Sequence, residues 1–251
     1  MKKIIFLITL SLIFCTSVSW GQSDKLKQAN DLYSQAEYKM AIKDYEDILA
    51  KEGVAPEIYY NLANAYFKSN EIGRSILNYE RALRLNPLYE DAGYNLSIAQ
   101  TKVVDNIVKT PTFFLFEWIQ YLIKLVTSNT WLYISLSFFI CSLIFGFVFV
   151  FARIRTLRVV SFYLMVSLLL FSVGFLAFSG VRKNQLLNHR EAIVMSGVIT
   201  AKSSPDKSGT DLFQLHEGTK VEVKSTLGNW IEIELGNGSV GWVEKVHTER
   251  I

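Results

Sequence analysis

Two stretches in the middle of the chain carry no charged side chain, Leu125 to Ala152 and Val159 to Val181. Each is long enough to cross ~30 Å of hydrocarbon as a helix, which predicts transmembrane helices over 130–151 and 159–181. A buried hairpin of a soluble protein is the other solution, but few soluble cores hold two helices that are apolar all round. Just before them, in 111–126, Glu117, Gln120 and Lys124 are spaced three and four apart, a narrow polar stripe beside Phe113, Phe114, Phe116, Trp118 and Tyr121. The pattern predicts either an interfacial helix lying on the membrane or a helical extension of the first span. From residue 192 the period changes to two, as in Val221-Glu222-Val223-Lys224 and Trp230-Ile231-Glu232-Ile233-Glu234. Gly218, Gly228 and Asn237-Gly238 punctuate these runs; they predict short strands, a tight hairpin at the Asn-Gly pair and a small β-barrel over 190–251.

Between residues 22 and 107 the chain resembles itself at an offset of 34. Ala29, Asn30, Glu37, Ile42, Tyr45, Glu46 and Leu49 recur as Ala63, Asn64, Glu71, Ile76, Tyr79, Glu80 and Leu83. At the next step Tyr60, Asn61, Leu62 and Ala65 recur as Tyr94, Asn95, Leu96 and Ala99. A period of 34 with paired helices resembles the tetratricopeptide repeat. About two and a half copies are predicted, the third keeping only a first helix from Asp91 to about Val104, a suitable cap for the stack. Small Ala29 and Ala63 let helices approach, and Tyr45, Tyr66 and Tyr79 are expected in the core. Ala36 and Asn70 stand at turn positions where glycine is usual, and Ser75 replaces the usual alanine. The resemblance implies a concave peptide-binding face made by the first helices. Its candidate residues are Asn30, Tyr33, Tyr60, Asn61, Asn64, Phe67, Lys68, Tyr94 and Asn95. An amide both donates to and accepts from an extended backbone; the same asparagines could equally just solvate the groove. Leu26 and Asp91 stand where carboxylate-clamp repeats carry lysines, so recognition of a free C-terminus is not expected.

The order Ala201-Lys202-Ser203-Ser204-Pro205, Leu215-His216-Glu217-Gly218, Gly228-Asn229-Trp230 and Gly241-Trp242-Val243 resembles a bacterial SH3-like domain. Trp230 and Trp242 are candidates for a ligand groove; the competing expectation is that at least one of them is core.

Charge sets the orientation. Three arginines, Arg153, Arg155 and Arg158, lie in the 152–158 connection between the spans and mark it as cytoplasmic. Lys124, Arg182 and Lys183 make the opposite flank basic as well. The N-terminus adds a second line: Met1-Lys2-Lys3, an apolar run from Ile4 to Phe14, then Ser19 and Gly21, the pattern of a signal peptide over 1–21 cleaved before Gln22, or of an uncleaved anchor. Both lines put residues 22–124 and 182–251 outside. The cysteines are Cys15 and Cys141, so the mature chain has one thiol, within an apolar run. A net charge of +3 gives no reason to expect nucleic acid. His189, His216 and His247 have no ligand spacing, and no nucleophile, zinc or phosphate-loop string occurs. Asp211, His216 and Glu217 read as solvated surface. Neither an enzyme, a metal nor a cofactor is expected.

The full order is signal peptide, tetratricopeptide repeats, aromatic helix, two spans and SH3-like domain. It resembles the BatE-type proteins of the Bacteroides aerotolerance operons, and the string Ser203 to Val221 carries that likeness most strongly. The resemblance implies a multidomain inner-membrane protein: an α-helical solenoid, a transmembrane hairpin and a small all-β barrel. It implies other Bat membrane proteins as partners, including ones with von Willebrand A domains, in a stress-linked envelope complex. The chemistry left open beside a periplasmic scaffold is peptidoglycan binding by the SH3-like domain.

Overall fold

The computed structural model describes residues 24–108, 113–188 and 190–251. The expected signal peptide, with Cys15, lies outside them. Five helices come first: α1 (Asp24–Ser34), α2 (Tyr38–Lys51), α3 (Pro56–Lys68), α4 (Ile72–Leu85) and α5 (Glu90–Gln100). Pro56 opens α3, where its missing N–H would be unpaired anyway. Ala29 and Ala63 are fully buried at the crossings, and Tyr45, Tyr66 and Tyr79 are buried beside them. Ser75 keeps its place in the interior because its hydroxyl donates to the Ala63 carbonyl at 2.9 Å. Helix α5 stops at Gln100, short of Val104, because Thr101, Lys102 and Val103 close i→i+3 bonds onto Ile98, Ala99 and Gln100.

Next come α6 (Phe114–Lys124), α7 (Ser128–Phe151) and α8 (Arg155–Leu187). Helix α6 is not an extension of α7. Thr127 between them has extended backbone, and its hydroxyl caps α7 by accepting from the Thr130 amide. The α7 and α8 helices are long and apolar enough to cross a membrane, at about 36 and 50 Å from a rise of ~1.5 Å per residue. Helix α8 overruns the expected 159–181 at both ends. It takes in residues 155–158 of the expected 152–158 loop, leaving Ala152 to Ile154 as the whole connection. Arg158 makes the sharp reversal workable by donating to the Ala152 carbonyl at 2.9 Å.

The hairpin is held by serines seven residues apart on α7. Ser128, Ser135 and Ser142 face Ser179, Ser172 and Met165 on α8. The Ser135 hydroxyl donates to the Ser172 carbonyl at 2.8 Å, and Ser172 returns the bond at 3.0 Å. Ser128 and Ser179 repeat that exchange, and Ser142 donates to the Met165 carbonyl. Small hydroxyls let the backbones approach closely.

The chain ends in seven strands: β1 (Glu191–Val194), β2 (Val198–Lys202), β3 (Asp211–His216), β4 (Lys220–Leu227), β5 (Trp230–Glu234), β6 (Val240–Glu244) and β7 (Thr248–Arg250). They form one antiparallel sheet in the order β3-β2-β6-β5-β4-β1-β7. Val194, Ile199, Leu215, Val221, Ile231, Ile233 and Val243 meet in a single core, around which the sheet is coiled. Register shifts at Ala201/Lys202 and Val223/Ser225 supply bulges that increase the coiling. The tight two-residue turn is at Gly228-Asn229, where Leu227 pairs with Trp230 and Gly228 has φ 59°. Asn237-Gly238 belongs instead to the longer loop between β5 and β6.

The helical repeats and the β module share a core. Ile193 of β1 and Ile251 are buried in the same cluster as Ile76, Leu77, Tyr79 and Ala82. Gly218, at φ 88°, sits so close to α4 that a Cβ there would lie 2.8 Å from Val103 Cγ2 and 3.0 Å from Ile76 Cδ1.

Candidate functional site

The first helices of the repeats set their asparagines in a ladder. Asn30 on α1 accepts from the Tyr45 hydroxyl at 2.7 Å and from Asn61 Nδ2 at 3.2 Å. One repeat later, Asn64 on α3 accepts from the Tyr79 hydroxyl at 2.5 Å and from Asn95 Nδ2 at 2.9 Å. The same three roles recur at an offset of 34, so the ladder follows directly from the sequence repeat. Asn95 also donates to the Tyr60 hydroxyl at 3.2 Å. Burial pushes the Tyr45 phenol up to about 12 and raises Tyr79 further, so both remain protonated donors. Each amide spends one end on the ladder. Among the described residues the Nδ2 groups of Asn30 and Asn64 and the Oδ1 groups of Asn61 and Asn95 hold no hydrogen bond, which leaves donors alternating with acceptors along the face. Tyr94 beside them is 69% exposed. Tyr33 stacks edge-on against Tyr38 at 5.4 Å. Phe67 packs against the α4 cluster, and Lys68 is an exposed residue in the last turn of α3.

The strand period moves both tryptophans out of the core. Trp230 and Ile231 are neighbours and must face opposite ways. Ile231, Ile233 and Val243 take the interior, while Trp230 and Trp242 are half-buried on the outer face. Trp230 stands opposite Glu244 and Trp242 opposite Glu232, so the two are diagonal neighbours. Trp230 borders a cavity of about 350 Å³ with Lys202, Lys207, Glu244 and His247.

Residues taken from the sequence as solvated surface form the joint between the modules. Asp105, after α5, accepts from the His216 amide at 2.7 Å and from the Thr219 hydroxyl at 2.6 Å, and lies 2.7 Å from His216 Nδ1. Burial opposes its charge, but the Thr219 and His216 bonds outweigh burial and hold its carboxyl below the usual range. Glu217 accepts from the Gly73 amide at 2.9 Å. That carboxylate serves as an external cap for α4, whose own leading residue makes no side-chain cap bond. Lys220 reaches Glu80 at 2.9 Å and Glu191 at 3.0 Å. Burial would lower Lys220, yet the two carboxylates keep it above the ordinary lysine value. Arg81 pairs with Glu249 at 2.9 Å. Asp211 instead pairs with Lys202 within the sheet.

Residues 56–89 match the tetratricopeptide repeat family and residues 198–249 match the bacterial SH3 domain family. Strand β1, which carries Ile193 into the joint, precedes the second match. The serine/threonine-protein phosphatase T of Aspergillus oryzae is 30% identical over 78 residues, 31% of this chain. The match spans only 16% of that phosphatase. The chain thus combines a helical tetratricopeptide region, two long apolar helices and an antiparallel bacterial SH3 domain. Both domain types point to protein–protein interaction, and the second to peptidoglycan as well.

Proposed function

We propose that this protein is a non-enzymatic scaffold of the bacterial inner membrane, which presents the repeats and the SH3 domain together in the periplasm. The asparagine ladder carries the proposal. It leaves alternating free donors and acceptors on the face of the first helices, the complement of an extended peptide backbone. Arg153, Arg155 and Arg158 favour a cytoplasmic turn between α7 and α8. The shared core of the two modules supports the same orientation, because elements that pack together lie on one side of a bilayer. The partners proposed are envelope proteins, foremost other Bat-type membrane proteins as the resemblance implies. Detergent extracts of cells carrying the Asn61→Ala/Asn95→Ala double variant should lose partners that co-purify with the wild type while the chain stays folded, its melting temperature lowered only by the loss of the bonds to Asn30, Asn64 and Tyr60, about 1 kcal/mol each. An identical partner set in both would remove the groove from the proposal.

Peptidoglycan binding through Trp230 and Trp242 is the second possibility. It is supported by the outward placement of both rings and the polar cavity beside Trp230. Co-sedimentation of the full chain with purified sacculi separates the two.

A further inference from the structure

The basic flank on the side assigned to the exterior has no role in the interactions above. Arg182 follows the uncharged run of α8 directly and is 4% exposed. Its guanidinium donates once, from Nη2 to the Arg84 carbonyl at 3.0 Å, and its Nε is buried without a partner. Among the described residues no carboxylate lies within ion-pairing distance of Arg182, Lys124 or Arg190. All three line a cavity of about 830 Å³ enclosed by α4, α6, the end of α8 and the β module. Its acidic residues are already engaged: Glu80 and Glu191 by Lys220, and Glu222 by Lys224 at 3.3 Å. A buried guanidinium without a counter-ion is costly and calls for an anion. The level of the cavity is set by two features. The apolar run of α8 ends at its floor, and Gln185 donates to Gln120 at 2.7 Å, which ties the aromatic helix α6 to the same height.

We infer that this cavity seats the phosphate of an anionic phospholipid head group, with the Arg182 guanidinium as its anchor and Lys124 and Arg190 at its mouth. Hydrogen bonds from a guanidinium to phosphate oxygens are charge-assisted and strong, and basic pockets between membrane helices hold anionic head groups. The inference rests on the membrane placement proposed above.

The test is native mass spectrometry of the full chain from mild detergent, offered phosphatidylglycerol or phosphatidylcholine, with inorganic phosphate titrated separately. One phosphatidylglycerol per chain should be retained at least tenfold over phosphatidylcholine. Retention should fall at least tenfold in Arg182→Gln. It should fall likewise in Lys124→Glu/Arg190→Glu, whose exposed positions keep the fold intact. Equal retention of the two lipids, or unchanged retention in the double variant, overturns the inference. A chain that does not enter lipid nanodiscs removes the membrane placement instead. In that case, phosphate binding by the wild type and not by the double variant assigns the site to free phosphate, and its absence overturns the site altogether.

Discussion

Ala36 and Asn70 lie in the left-handed backbone region, each at φ 63°. They end α1 and α3 with the same pair of bonds. The amide of Glu37 reaches the Leu32 carbonyl at 2.9 Å and that of Ala36 reaches Tyr33 at 3.0 Å. Glu71 and Asn70 repeat this onto Tyr66 and Phe67. Such a helix end fits glycine, and asparagine tolerates it, but alanine is strained there by roughly 1–2 kcal/mol. Glycine loses more backbone freedom on folding, which returns part of the gain. Ala36→Gly should therefore stabilise the repeats by about 0.5–1 kcal/mol, read as a higher denaturant midpoint at unchanged slope. A lower midpoint would show that Ala36 is not strained. The departures at Ala36 and Asn70 are visible in the sequence, and so is the 34-residue spacing that makes the ladder. The direction each amide points is not, because it depends on which tyrosine of the following helix reaches back.

At the scale of elements, hydrophobic period read most of the chain, since helix and strand are local choices. Period alone could not rank Trp230 against Ile231 as the core residue of β5, because size suggests one and alternation either. It also passed over the serines of α7 and α8, which stand out only when the two apolar runs are laid antiparallel. Their signal is the seven-residue spacing of Ser128, Ser135 and Ser142 against that of Ser172 and Ser179. Each hydroxyl bond across such a pair contributes about 0.6 kcal/mol in a membrane. Ser135→Ala, which opens no gap, should weaken the hairpin by about that much. Ser135→Leu cannot be fitted where the side chain is 5% exposed against α8, and should cost about 1–3 kcal/mol by overpacking. Unfolding of the full chain in detergent micelles ranks the two; equal effects would mean that the serines do not set the approach of the helices.

The joint belongs to the whole molecule. Its bonds link residues far apart in sequence, 144 positions for Gly73 and Glu217 and 111 for Asp105 and His216. No local pattern reports such pairs, so both modules were legible and their union was not. The consequence is mechanical: a partner pulling on the repeats also loads the SH3 domain, through the shared core at Ile76, Ile193 and Ile251. Asp105 makes the union dependent on acid. Its lowered carboxyl value means that the ionised form favours docking. That contribution is complete above the ordinary carboxylate value of ~3.9 and is lost as pH falls through the lowered one. Glu217, Glu80 and Glu191 also face the joint, so the wild type alone does not isolate Asp105, and the comparison must be with Asp105→Asn. Near neutral pH this variant should show faster exchange of the Gly73 amide, whose bond to Glu217 spans the joint, since loss of a buried charged acceptor costs about 1–3 kcal/mol. The difference between the two proteins should shrink as the pH falls below about 4, where the wild-type carboxylate is itself neutralised. A difference that persisted unchanged in acid would assign the effect of the variant to packing rather than to the charge on Asp105.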